Sequence, residues 1–376
     1  MKNILKKRLI NENHVLVSFG HKASFTNLSG DNMKKITLII LLIIFIVSLL
    51  NNIFILNLIT TFCFLIIVAI RLSREINVLS YWVGDKLGGF ISSTSGNLPE
   101  LFISIFALKS NLIELVKSGL LGSIIGNMLL VLGLSILFGG IKYNEQRFNK
   151  IIARTNFSLL FLALSSLIIA STISFQGKLS TQKSYIFSFY IAIILLLIYL
   201  LGLIFSLVTH KNLFLVHSDE NNNENNMKKT NFILIIILLI IAYTLSEHLV
   251  SLINTAIIKF KIPEKIIGII IMPLIGNVAE YITAIYASLK DKINLSIEIS
   301  IGSSMQLLLF TLPSIIIIAF LLGLPLTLVY SFYELIILII SIGLSYFVFQ
   351  DGKSYWLEGA ILLASYLIII LGYWLI

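Results

Sequence analysis

The chain has 376 residues, of which 58% are hydrophobic and only 12% charged, with a formal net charge of +9 at pH 7 and a mean hydropathy of +1.00. Soluble domains carry about 25% charged residues, so this composition excludes an ordinary water-soluble fold and describes a chain made to sit in lipid. A single cysteine, Cys63, excludes an internal disulfide and any cysteine-based metal centre within one chain.

In chain order, residues 1–35 are basic and polar. They lack a short apolar run followed by a small-residue cleavage site, which predicts a cytoplasmic segment and not a cleaved signal peptide. Hydrophobic runs follow at Ile36–Leu50, Ile53–Ile70, Leu87–Leu108, Leu120–Phe138, Phe157–Phe175, Tyr185–Val208, Phe232–Ile253, Ile266–Leu289, Ile293–Leu322, Leu326–Phe349 and Trp356–Ile376. Most hold the roughly 20 residues that a bilayer-spanning helix needs. The prediction is an all-α polytopic membrane protein of about eleven transmembrane helices. The break in composition is at residues 209–230, where Ser218 to Asn226 is rich in asparagine and weakly acidic. Its acids lack EF-hand spacing, and it reads as a solvated linker. The linker separates helices 1–2 (36–70) and the remainder of a first repeat, helices 3–6 (71–208), from a second repeat, helices 7–11 (231–376). With the first helix set aside, each half holds five helices. An odd number makes the second copy enter the membrane from the opposite side, giving two inverted-topology five-helix repeats plus one extra N-terminal helix.

The positive charge follows the same layout. With a cytoplasmic N-terminus, 20 of the 27 Lys and Arg residues fall on the inner side, the bias that the positive-inside rule describes. The linker is then cytoplasmic and the C-terminus lies on the opposite side. No soluble segment shows a basic face with interleaved aromatics, which argues against nucleic acid as a partner.

One short polar pattern occurs twice, 180 residues apart, inside otherwise apolar runs. Gly96-Asn97-Leu98-Pro99-Glu100 is matched by Gly276-Asn277-Val278-Ala279-Glu280, and the same offset carries Ala107 onto Ala287 and Gly122-Ser123 onto Gly302-Ser303. A carboxylate within a membrane helix is expensive and marks a functional site. Paired in an internal repeat, two of them predict an ion site between the halves. Gly88, Gly89, Gly96 and Pro99 punctuate the third run, and Gly268, Pro273 and Gly276 the eighth. Proline frees a carbonyl one turn earlier, which must be satisfied again or line a polar cavity. Asn97 and Glu100 are three apart and share a helix face, as do Asn277 and Glu280. The next run in each half adds Ser123 and Asn127, and Ser303 and Gln306. Hydroxyls in such positions also serve close helix packing. The candidate cation ligands are therefore Glu100, Glu280, Asn97, Asn277, Gln306, Ser303, Ser123 and Asn127. An all-oxygen set with two negative charges suits hard cations, Ca²⁺ in particular with its six to eight oxygens, although Na⁺ shares that preference. Softer metals want imidazole or thiolate, which these segments lack. Glu247 with His248, and Glu334, are further polar residues in apolar runs, each open to a structural or a proton-carrying role.

At these residues the chain resembles the calcium/cation antiporter superfamily, and within it the Ca²⁺/H⁺ exchanger (CAX-type) family, from about Arg71 to the C-terminus. Gly96-Asn97-x-x-Glu100 with Phe106-Ala107-Leu108-Lys109 and Gly122-Ser123-x-x-Gly126-Asn127 resembles the family's first signature. Gly276-Asn277-x-x-Glu280 with Gly302-Ser303-Ser304-x-Gln306 resembles its second. The resemblance implies a secondary antiporter, not an enzyme, which moves Ca²⁺ out of the cytosol in exchange for H⁺ and needs no cofactor. Glu100 and Glu280 would hold Ca²⁺ alternately with protons, assisted by Gln306 and the adjacent serines. Its partners would be the transported cations and the lipid bilayer, with homo-oligomer assembly left open. The expected location is a bacterial cell membrane, or else an organellar one. The chain departs from the family pattern at Tyr281, where the family usually has His, at Pro99, and at Arg74, Asn77 and Asn254, where acids are common. The alternatives are exchange of Na⁺ for Ca²⁺ or of another divalent ion such as Mn²⁺, a channel and, remotely, an intramembrane metal-dependent enzyme.

Overall fold

The structure is a computed structural model that describes residues 43–48, 53–83, 96–177, 180–209 and 232–375. The basic segment 1–35, most of the first hydrophobic run, Gly88 and Gly89, and the linker from residue 210 onward lie outside the described residues. The chain divides into the units Met1–Phe64 and Leu65–Ile376. Within the first, Phe45 stacks on Phe64 with ring centroids 5.7 Å apart, and the Ser48 and Thr60 hydroxyls are 3.2 Å apart.

The helices are α1 Phe54–Val83, α2 Leu98–Lys109, α3 Ile113–Tyr143, α4 Lys150–Phe175, α5 Thr181–Ile204 and α6 Phe232–Phe260. They continue with α7, a bent pair of segments Glu264–Val278 and Glu280–Ser288, then α8 Ile293–Leu321, α9 Phe332–Val348 and α10 Trp356–Leu375. Among the described residues seven helices are long and apolar enough to cross a membrane, or eight if the bent pair is one span. The all-α polytopic class therefore holds. Helix α5 shows how such a sequence suits an apolar surrounding: Tyr190, Ile194, Leu197 and Leu201 are exposed on one face, while Ser184, Ser188 and Ala192 are buried on the other. With apolar groups outside and small residues at the contact, packing in place of water exclusion drives association.

Two groups of connections mark two ends of the second unit. At one end, β1 (Gln146–Arg147) pairs antiparallel with β2 (Lys353–Ser354), Gln146 opposite Ser354. Gln146 Nε2 donates to Asp291 Oδ1 at 2.9 Å and to the Ser288 carbonyl at 3.1 Å, and Lys142 Nζ donates to the Leu289 carbonyl at 2.6 Å. Arg147, followed by Lys353, holds Glu145 here below the ordinary carboxylate range by hydrogen bonding. At the other end, Glu264 Oε2 accepts from the Leu115 backbone N–H at 3.2 Å, Lys265 pairs with Glu114 at 3.3 Å, and Lys117 Nζ donates to the Val329 carbonyl and lies 5.0 Å from the centre of the Tyr330 ring. The connections α3–α4, α7–α8 and α9–α10 share the first end, and α2–α3, α6–α7 and α8–α9 the second. Helices α2 and α3 thus run in opposite directions, and α7, α8, α9 and α10 run alternately up and down.

Local geometry recurs at the 180-residue offset of the sequence motif. Asn111 and Asp291 have φ of 61° and 60°, a conformation that short polar side chains tolerate. The Leu112 N–H donates to the Ala107 carbonyl at 2.9 Å and the Lys292 N–H to the Ala287 carbonyl at 2.9 Å. Helices α3 and α8 begin at the corresponding residues Ile113 and Ile293, and each carries a π-helical stretch in its middle, Gly126–Val131 and Leu307–Thr311.

Candidate cation site

The two glutamates each open a helical segment at a break in the chain. In the first half the chain turns at Gly96 and Asn97, and α2 starts at Leu98 with Pro99 in its first turn and Glu100 beside it. Proline is tolerated there because the first helical N–H groups have no intrahelical partner. Asn97 is thus the residue before the helix, not a member of its face as its spacing from Glu100 predicts. In the second half α7 bends by 70° between Val278 and Glu280. Pro273 follows a π-helical stretch, Ile267–Ile271, and the carbonyl four residues before it, Ile269, faces Gly122. That freed carbonyl is seated by close approach of α7 to α3, where a side chain larger than Gly122 has no room.

The carboxylates interlock across the halves. A methyl group placed on Gly276 would fall on the Glu100 carboxylate, and one placed on Gly96 would lie 2.9 Å from Glu280 Oε1. Each glutamate therefore rests on the glycine that opens the other copy of the motif. The amides cross in the same sense. Ser303 Oγ donates to Asn97 Oδ1 at 3.3 Å, and Asn277 Nδ2 donates to Ser123 Oγ at 3.1 Å. Asn97 Nδ2 also donates to Gln306 Oε1 at 2.7 Å, and Asn127 Nδ2 to Ser303 Oγ at 3.0 Å. The structure thus brings all eight sequence-predicted residues into one cluster, in which Glu100 is 4% exposed and Asn277 fully buried while Glu280 and Gln306 are partly buried.

Charge balance defines the chemistry. Among the described residues no Lys, Arg or His forms an ion pair with Glu100 or Glu280. Both Glu100 oxygens, Glu280 Oε2, Asn277 Oδ1 and the Tyr281 hydroxyl are buried without a hydrogen-bond partner. Buried charge that is neither paired nor hydrogen-bonded is strongly unfavourable, so these two carboxyl groups need protons or a cation. Among the described residues no group of three or more His, Cys, Asp or Glu could hold a metal ion; the side chains gathered here offer amide, hydroxyl and carboxylate oxygens.

Other polar residues resolve differently. Glu334 Oε2 accepts from the Ser331 N–H and hydroxyl, both at 2.8 Å, and Ser331 Oγ accepts from the Glu334 N–H at 3.3 Å. This is a capping box that starts α9, so Glu334 has a structural task. Glu247 lies on an exposed face of α6. Sequence reasoning missed the seats at Gly96 and Gly276, although the signal was in the motif itself, a glycine four residues before each glutamate. It also treated Tyr281 only as a departure.

The sodium/calcium exchanger protein family matches residues 53–208 and 230–375 of this chain. The Ca²⁺/H⁺ antiporter ChaA of Bacillus subtilis (strain 168) is 35% identical over 317 residues, covering 83% of this chain and 90% of that protein. The vacuolar calcium ion transporter of Schizosaccharomyces pombe is 32% identical over 329 residues, covering 86% and 79%. The structure of native YfkE superposes with a TM-score of 0.73 at 31% identity, covering 88% of this chain and 96% of that one. The H⁺/Ca²⁺ exchanger CAX, at 16% identity and a TM-score of 0.68, shares the fold over 92% of this chain and 89% of its own.

Proposed function

We propose, from the fact that this chain belongs to the sodium/calcium exchanger protein family, that it is a secondary active antiporter exporting Ca²⁺ from the cytosol in exchange for H⁺. The observation that carries the reading is the pair of buried carboxylates, one from each half, with no cationic partner among the described residues and unpartnered oxygens around them. Glu100 and Glu280 bind Ca²⁺ when ionised and release it when protonated. Asn97, Asn277, Ser123, Ser303, Asn127 and Gln306 set their positions and lend neutral oxygens. One Ca²⁺ or two protons neutralise the same two charges, so the loaded site presents one electrostatic face to the bilayer in either state. The empty dianion is the costly species, and that cost suppresses movement without cargo and couples the two fluxes.

The architecture in this reading is eleven transmembrane helices, an extra N-terminal helix followed by two inverted five-helix repeats. The turn geometry shared by Asn111 and Asp291 at opposite ends of the second unit supports it. The basic segment 1–35 and the linker 209–230 are cytoplasmic, and the location is a bacterial cell membrane. The test is Ca²⁺ flux into liposomes carrying the purified chain, with Ca²⁺, Na⁺ and pH gradients imposed one at a time. Glu100→Gln and Glu280→Gln keep the shape but remove one charge and one titratable proton, and each alone is expected to abolish exchange. Wild-type flux in either variant removes that residue from the mechanism. Uptake driven by a Na⁺ gradient without a pH gradient would replace H⁺ with Na⁺ as the counter-ion.

A further inference from the structure

The two halves match closely, and the place where they fail to match is informative. At the 180-residue offset Gln306 corresponds to Gly126, and Tyr281 to Leu101. In one half the amide of Gln306 reaches Asn97 at 2.7 Å. In the other, Gly126 has no side chain to reach Asn277, and the Tyr281 hydroxyl fills that space: a methyl group on Gly126 would lie 2.6 Å from it. Tyr281 stands four residues after Asn277, just beyond the bend of α7. Its ring is fixed among Val131, Ala284, Leu130 and Ile299. Its hydroxyl and Asn277 Oδ1 are both buried, and the hydroxyl interacts with Asn277.

We propose that Tyr281 is the second-half counterpart of Gln306, a specificity-determining residue whose hydroxyl completes the oxygen lining of the Glu100–Glu280 site and orients Asn277 toward the cation. The assignment rests on the function proposed above. Phenol and amide both offer a neutral oxygen that keeps its charge state over the physiological range. Both therefore add to cation affinity without taking part in proton exchange, which is left to the two glutamates. The pairing of large with small is reciprocal: tyrosine opposite glycine in one half, glutamine opposite leucine in the other.

The experiment is the Ca²⁺ dependence of initial uptake in liposomes under a fixed pH gradient. Tyr281→Phe keeps the ring and removes the hydroxyl. Its KM for Ca²⁺ is expected to rise about tenfold, as for the loss of one buried polar contact, with the maximal rate within about twofold of wild type. Tyr281→Leu should share the high KM, and adding Gly126→Gln, which gives this half the arrangement of the other, should restore it to within about threefold. Calorimetric titration of Ca²⁺ into the detergent-purified variants reads the same affinities if reconstitution fails. An unchanged KM in Tyr281→Phe, a fall in maximal rate with KM unmoved, or no rescue by Gly126→Gln overturns the assignment. Glu100→Gln, run alongside, separates the two levels. If it is inert while Tyr281→Phe behaves as wild type, only the role of Tyr281 falls; if it transports normally, the reading beneath it falls.

Discussion

The reciprocal seating of the glutamates gives an unequal pair of expected phenotypes from one chemical change. In Gly276→Ala the new methyl group meets Oε1, the carboxyl carbon and Cγ of Glu100, so the whole end of that side chain must move. In Gly96→Ala the methyl meets Oε1 of Glu280 alone, at 2.9 Å, and a small rotation relieves it. Forcing an extra methyl into a filled site costs about 1–3 kcal/mol. At about 1.4 kcal/mol per tenfold, Gly276→Ala should weaken Ca²⁺ binding by about 10- to 100-fold, and Gly96→Ala by less than about fivefold. Gly276 lies within a helical segment, where alanine is favoured over glycine by about 1 kcal/mol. That gain offsets part of the strain, so the unfolding temperature of Gly276→Ala should fall much less than its Ca²⁺ affinity, which separates a displaced ligand from a damaged fold. Calorimetric Ca²⁺ titration and a thermal unfolding scan on the same detergent-purified samples supply both readings. Equal losses in the two variants, or a wild-type affinity in Gly276→Ala, would refute the seating.

Three further outcomes are expected. From the 20-of-27 charge bias, a tag fused at Ile376 should be accessible only from the non-cytoplasmic side; cytoplasmic accessibility would break the eleven-helix layout. Tyr281→His introduces a group with an ordinary pKa near 6.5 beside Glu280, so its pH–flux curve should gain a transition near neutrality, whereas superimposable curves would show that the position does not touch coupling. Glu145 is held below the ordinary carboxylate range by Arg147 and then Lys353, so its contribution to stability is fully present above the unfolded carboxylate value of about 4.3. That contribution is lost as pH falls through the lower folded value. The backbone amide of Phe148, which ties residues 146–149 to the Gly352 carbonyl, should exchange faster with solvent below that range, and Glu145→Gln should show the faster exchange already at pH 7.

Membrane residence, helical class and the two glutamates were legible in the amino acids because lipid makes each of them a severe constraint. A backbone in hydrocarbon must satisfy its own hydrogen bonds, which leaves helices for long apolar runs. A carboxylate there is so costly that Glu100 and Glu280 stand out as candidates. The start of α8 at Ile293 matches its expected run for the same reason. Smaller signals were present and overlooked: Ser331-x-x-Glu334 is a capping box in the sequence itself, and it accounts for a carboxylate that periodicity alone left between two roles. What only the tertiary structure decided is how the halves engage. Nothing local to Gly276 says that it carries Glu100, and nothing local to Asn97 selects Gln306, 209 residues away. Those contacts depend on the relative placement of two helix sets, fixed by close approaches such as Gly122 on the Ile269 carbonyl. Side-chain periodicity records which face of a helix is buried, whereas the partner it meets is settled by packing across the whole bundle, and that is why the approach of the Tyr281 hydroxyl to Gly126 is visible only in three dimensions.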